Sequence, residues 1–180
     1  MKKHFVKEFM IPISNYVTVK KSNTLLDVLK ALEEAREANA HAHRDAIVVA
    51  DDGTFLGKVT MLDIFRALEP NYKKLMSDSG AGTLTGTFVR KAVKEFNLWL
   101  EPEQSICQRG AQKQVAEVMH TPRGIEYLQE EDTLEKALNL YVMDVHQPLI
   151  VKSGDTVTGV LRFGDMFEVV RQELLACGVG

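Results

Sequence analysis

In the run Gly57-Lys58-Val59-Thr60-Met61-Leu62-Asp63, a glycine, a hydroxyl and a carboxylate follow one another at spacings of three. The run reads as the end of a strand and the start of a helix, where the first free N–H groups and the helix dipole favour an anion. A threonine hydroxyl there can contact a phosphate or sugar oxygen. An aspartate three residues later can accept hydrogen bonds from two neighbouring sugar hydroxyls. The same spacing also describes a plain helix start with Asp63 as its cap. A related run, Gly159-Val160-Leu161-Arg162-Phe163-Gly164-Asp165, stands 102 residues further on. Recurrence at a matched place gives the pattern its weight.

Laid on itself, the chain repeats over most of its length. At a shift of 109, Val6-Lys7-Glu8-Phe9-Met10 falls on Val115-Ala116-Glu117-Val118-Met119, and Asn23-Thr24-Leu25 on Asp132-Thr133-Leu134. At a shift of 102, Ala46-Ile47-Val48-Val49 falls on Pro148-Leu149-Ile150-Val151, in step with the Gly57 and Gly159 runs. The first copy thus carries seven extra residues, expected around Glu33 to His43.

Each copy has one order of elements. Tyr16–Val19 is β-prone; Asn23 stands as an N-cap ahead of Leu25, Leu26, Val28, Leu29 and Leu32 at helical spacing. The apolar strand 46–50, the turn Asp51-Asp52-Gly53 and the strand 55–60 make a hairpin, and a helix capped near Asp63 carries Ile64, Phe65 and Leu68 inward. The second copy predicts strands at 125–128, 149–151 and 156–161 and helices at 132–145 and from Asp165 onward. A β-α-β-β-α unit this small buries too little surface to be safely stable alone, a physical reason for two. The fold class expected is α/β (α+β): two tandem repeats, residues 4–68 and 113–175, packed pseudosymmetrically sheet to sheet. Residues 69–112 form an insert. It holds a Gly/Ser/Thr-rich loop, Ser77–Gly86, and a helix whose stripe runs Phe88, Val89, Ala92, Val93, Phe96 and Leu100 beside Trp99.

The bulk numbers exclude several classes. Apolar residues at 45% and charged residues at 26% describe an ordinary globular chain. A net charge of −3 offers no general attraction to nucleic acid or anionic membrane. The short Arg90-Lys91-Ala92-Val93-Lys94 stretch is too weak a basic helix to reverse that. No apolar run is long enough to span a bilayer, and the basic start Lys2-Lys3-His4 precedes none, so neither membrane insertion nor a signal peptide is expected. Cys107 and Cys177 have no metal-ligand spacing and read as reduced thiols in the cytoplasm. His41 and His43, two apart, share neither a strand face nor a helix face and read as a solvated loop, so no metal site is expected. No nucleophile–base pair, P-loop or dinucleotide fingerprint occurs; no catalytic residues are assigned and the chain is not expected to be an enzyme.

The chain resembles the CBS domain pair, or Bateman module. The likeness rests on the Gly57/Thr60/Asp63 and Gly159/Asp165 runs, the strands before them, and the openings Met10-Ile11-Pro12 and Met119-His120-Thr121-Pro122. It implies a regulatory module binding an adenosine compound (AMP, ADP, ATP or S-adenosylmethionine) in two related clefts between the repeats. The ligand would be a signal rather than a catalytic cofactor. In such modules the aspartate holds the ribose and the threonine assists. Carried over, the first site is Val17, Thr18, Ala46 and Ile47 around the adenine, with Thr60 and Asp63 on the sugar. The second is Tyr127, Pro148, Leu149, Arg162 and Asp165; here Arg162 replaces the threonine and Tyr127 stands where Thr18 stands. Arg162 either reaches a phosphate or pairs with Asp165 and closes the cleft. Ile64, Phe65 and Leu68 recur as Met166, Phe167 and Val170, more apolar surface than one repeat pair easily covers, so a homodimer is expected. The resemblance agrees, implying pairing through these helices, with output through an effector protein or self-association. A ligand-free interaction module is the rival reading.

Overall fold

The computed structural model describes residues 4–38, 44–69, 94 and 103–177. The loop and helix expected at 77–100 lie outside the described residues, as do His41 and His43. Two compact units form: Thr18–His120, and Met1–Val17 with Thr121–Gly180.

In the first of these units, β2 (Thr18–Lys20) runs parallel to β3 (Ala46–Val49), which pairs antiparallel with β4 (Phe55–Val59). Helices α1 (Leu25–Ala38), α2 (Met61–Leu68), α3 (Glu103–Gln112) and α4 (Val115–Val118) accompany this sheet. Helix α1 begins one residue later than expected. Thr24 is the capping residue, its backbone N–H donating to Asp27 at 2.8 Å, while Asn23 instead closes the preceding turn by accepting from the Lys20 N–H at 2.7 Å. The hairpin turn places Gly53 at φ 86°, where a side chain would be strained. Helix α3 has no clear apolar stripe and was not foreseen. It is tied down where Arg109 Nε donates to the Leu68 carbonyl at 3.0 Å, satisfying one of the orphan acceptors at the end of α2.

The other unit holds a four-stranded sheet in the order β1-β7-β6-β5, with β1 at Ile11–Pro12, β5 at Tyr127–Gln129, β6 at Leu149–Ser153 and β7 at Thr156–Leu161. Helices α5 (Leu134–Val142) and α6 (Phe163–Ala176) cover it. Its core gathers Val6, Leu128, Leu134, Ala137, Tyr141, Leu149, Val151, Leu161 and Met166.

The units do not coincide with the sequence copies, because the opening of each copy folds with the later part of the other. Val6 is fully buried in the core that the second copy builds; Val115 is fully buried in the unit that the first copy builds. Burying such a side chain is worth roughly 1.5–3 kcal/mol. The backbone bonds of the exchange are equivalent on both sides. Val6 N–H donates to the Asp132 carbonyl at 2.9 Å and Lys7 N–H to Glu130 at 3.1 Å; Val115 N–H donates to Asn23 at 2.8 Å and Ala116 N–H to Lys21 at 3.1 Å. All four bonds obey the shift of 109 seen in the sequence.

The strand registers correct the later part of the self-alignment. Ile47 lies opposite Lys58, and Ile150 opposite Val160, so β3 falls on β6 at a shift of 103 while β4 keeps 102 against β7. Ala46-Ile47-Val48 therefore matches Leu149-Ile150-Val151, one residue beyond the sequence alignment. Apolar runs carry no internal marker of register, so a one-residue slip was invisible until pairing fixed it. Of the seven extra residues, one belongs to the 50–54 hairpin and the others precede β3.

Candidate functional site

The first repeat's site is built at the point where β4 hands over to α2. Thr60 is extended (φ −103°, ψ 166°) and caps the helix. Its hydroxyl accepts from the Asp63 N–H at 3.3 Å. The Asp63 carboxylate reaches back, accepting from the Thr60 N–H at 3.0 Å and the Thr60 hydroxyl at 2.7 Å through the same oxygen, Oδ2. This is a reciprocal capping box with aspartate at the third helical position. The cap is thus Thr60, and Asp63 is its partner rather than the cap itself. Asp63 is 8% exposed, a buried carboxylate held by short-range donors.

Strand pairing decides which candidate residues share a face. Thr18, Ile47 and Lys58 lie opposite one another across the three strands, and Thr60 follows Lys58 by two residues. Side chains directly opposite, or two apart along a strand, stand on one face. Thr18, Ile47 and Thr60 are therefore brought together. Ala46 pairs with Val59 and faces the other way, and Val17 precedes β2 in the other compact unit. Thr18 is exposed, Val17 and Thr60 are half-buried, and Ala46 and Ile47 are buried. Lys58, fully buried, joins the Ile47 face and was not foreseen. The alternation of Gly57, Lys58 and Val59 carried that signal, since a lysine between two inward residues must point to the opposite side.

The second repeat reproduces the backbone and changes the chemistry. Arg162 occupies the capping position (φ −95°, ψ 151°) without a side-chain capping bond. Its guanidinium instead grips Asp165 in a two-point fork, Nε to Oδ2 at 2.8 Å and Nη2 to Oδ1 at 2.7 Å. Of the two alternatives left open for Arg162, the pairing with Asp165 is the one observed. Tyr127 and Ile150 lie opposite each other on the face shared with Val160, whereas Leu149 points into the core beside Leu128 and Leu161. Pro148 is buried just before β6. The residue equivalent to Ile47 is thus Ile150, and Leu149 is equivalent to Ala46. The Tyr127 ring lies 4.0 Å from the Lys152 ammonium. Burial pushes the Tyr127 hydroxyl above the ordinary tyrosine value, and the Glu126 carboxylate adds to the shift.

A separate cavity of about 270 Å³ lies in the Thr18–His120 unit, lined by Leu29, Leu32, Arg36, Arg44, Ile64 and Phe65 among others. It includes none of Thr18, Ile47, Thr60 and Asp63, so it is distinct from the candidate site. The inward assignment of Ile64, Phe65 and Leu68 is corrected in part. Ile64 is buried, Leu68 half-buried and Phe65 exposed; in α6, Met166 is buried and Phe167 exposed.

Residues 6–70 match the family model of the CBS domain. No curated protein matches the chain by sequence. Among solved structures, that of CBSX2 in complex with AMP is 22% identical with a TM-score of 0.60, covering 94% of this chain and 97% of that one. The CBS-pair protein CBSX2 from Arabidopsis thaliana is 21% identical at a TM-score of 0.56, covering 94% and 95%. The CBS domain of the bacterial CNNM/CorC family Mg2+ transporter, in complex with ATP, is 17% identical at a TM-score of 0.57, covering 94% and 89%. The first copy thus matches the CBS domain by sequence, and 94% of the chain shares the fold of a CBS-pair structure.

Proposed function

We propose that this protein is a regulatory module that binds an adenosine nucleotide at the Thr60–Asp63 junction and catalyses nothing. The observation that carries this reading is the joint placement of Thr60, Asp63, Thr18 and Ile47. A carboxylate and a hydroxyl stand at a helix start that continues the sheet face carrying Thr18 and Ile47. Asp63 would accept from the ribose hydroxyls, Thr60 would assist, and Ile47 with Thr18 would flank the base. Two structures of like fold are complexes with AMP and with ATP, which supports this ligand class. S-adenosylmethionine is the further candidate. The test is a thermal-shift screen of AMP, ADP, ATP and S-adenosylmethionine. A ligand at a hundredfold its Kd stabilises the native state by about 2.7 kcal/mol. No shift with any of the four would leave the rival reading, a ligand-free interaction module. That rival draws on the engagement of Asp63 by Thr60 within its own helix cap.

The output we propose is self-association as a homodimer, together with contact to an effector protein. Helix α2 exposes Met61, Leu62 and Phe65, and α6 exposes Phe163 and Phe167. Apolar surface of this kind seeks a partner. No helix among the described residues is long and apolar enough to cross a membrane. We place the protein in the cytoplasm with no role on nucleic acid. Light scattering should give twice the chain mass of 20.2 kDa at micromolar concentration; the monomer mass would refute the dimer.

A further inference from the structure

We propose that Arg162 is a built-in occupant of the second ribose position, so that the chain holds one adenosine nucleotide rather than two. The inference rests on the nucleotide-binding reading above and concerns which of the two junctions can act on it. Both oxygens of Asp165 are engaged by one guanidinium, at 2.8 and 2.7 Å. A forked arginine–carboxylate contact joins two charge-assisted bonds in a fixed plane, each about twice as strong as a neutral hydrogen bond. The pair is only 25% and 27% exposed, so water weakens it less than it weakens a pair in open solvent.

A ribose offers two hydroxyls, both neutral donors. To reach Asp165 they would have to compete with a cation already bonded to the same two oxygens. At the first junction Asp63 accepts from the Thr60 N–H and hydroxyl through Oδ2, and a threonine rather than an arginine stands at the capping position. Position 162 also receives a long side chain where position 60 carries a small one, so the hydroxyl that would assist the sugar is gone as well. Tyr127 adds no comparable block to the carboxylate. Its ring is drawn toward Lys152, two residues beyond Ile150 on β6.

The test is isothermal titration of AMP into the full chain, with the number of molecules bound per chain as the readout. The proposal expects one for the unaltered protein, two for Arg162→Thr and, for Asp63→Ala, none at the AMP concentration that just saturates the unaltered protein. The double variant Asp63→Ala/Arg162→Thr should bind one. Arg162→Thr restores a Thr-x-x-Asp start and is expected to fold; its far-UV spectrum and melting point verify this, and Arg162→Ser is the substitute if it does not. Two molecules bound to the unaltered protein, or one still bound to Arg162→Thr, would overturn the lock while leaving the first site standing. No binding to the unaltered protein but one molecule on Arg162→Thr would uphold the lock and refute the first site. No binding to any variant would refute both.

Discussion

The two strand-to-helix junctions begin from nearly the same backbone, with Thr60 at φ −103° and Arg162 at φ −95°, and part at one side chain. In the first, a hydroxyl closes a reciprocal capping box and the aspartate is drawn onto its own helix. In the second, the hydroxyl is replaced by a guanidinium, and the aspartate leaves the cap to form an ion pair. Duplication therefore conserved the scaffold and not the chemistry. A backbone position can be equivalent in two repeats while its side chain is a small neutral hydroxyl in one and a long cation in the other.

The largest effect expected from disturbing the pair lies in the glycines that precede the junctions. A Cβ at Gly57 would stand 2.5 Å from the His120 carbonyl oxygen and 2.6 Å from Met119 Cε. One at Gly159 would stand 2.8 Å from both the Ile11 carbonyl oxygen and Met10 Sδ. The His120 carbonyl cannot retreat without stretching its 3.0 Å bond from the Lys58 N–H. Overpacking of this kind costs about 1–3 kcal/mol. Gly57→Ala should therefore lower the urea midpoint more than Gly159→Ala, and the reverse order would refute the packing argument.

A smaller difference is expected at the caps. Thr60→Ala removes both bonds of the hydroxyl with Asp63, leaving the backbone N–H arm of the box, and should cost about 1 kcal/mol. Arg162→Ala removes a partly exposed ion pair and frees Asp165 to accept from the helix N-terminus, so it should cost less than about 1 kcal/mol. Equal losses in urea unfolding would show that the two junctions are held alike.

The smallest effect is in acid. The Thr24 backbone N–H, then its hydroxyl, hold the Asp27 carboxyl below the ordinary aspartate value. Its counterpart at the start of α5 is Lys136, whose N–H donates to the Thr133 hydroxyl and which has no titrating carboxylate to lose. A carboxylate depressed on folding contributes stability that is present above its unfolded pKa and lost as pH falls through its folded one. The α1 cap should thus weaken below about pH 4. Asp27→Asn should be less stable than the unaltered chain at pH 7, with the gap narrowing at pH 3. A gap that stays constant would contradict the assignment.

The repeat, the order of elements and the place of Thr60 and Asp63 at a helix start were legible because they rest on polar residues at fixed spacing. Asp, Thr and Gly mark turns and caps, and their recurrence survives divergence in the apolar positions. What the apolar runs hid was register. Nothing in Pro148-Leu149-Ile150-Val151 says which residue faces the core, and the alignment came out one position early. Helix α3 was hidden for a related reason: Glu103–Gln112 is mostly polar, and its place is fixed by the tertiary bond from Arg109 to the end of α2. The exchange of opening segments was likewise invisible, since Val6 and Val115 match each other in sequence without saying which sheet each will cover.

The measurement that bears most directly on the central claim is calorimetric titration of AMP into the full chain and into Asp63→Ala and Asp165→Ala. Loss of hydrogen bonds to a charged acceptor is worth about 1.5–3 kcal/mol, or roughly ten- to a hundredfold in Kd. Asp63→Ala should weaken AMP by that factor, and Asp165→Ala by much less. Equal losses from the two substitutions, or a larger loss from Asp165→Ala, would contradict the placement of the nucleotide at the first junction.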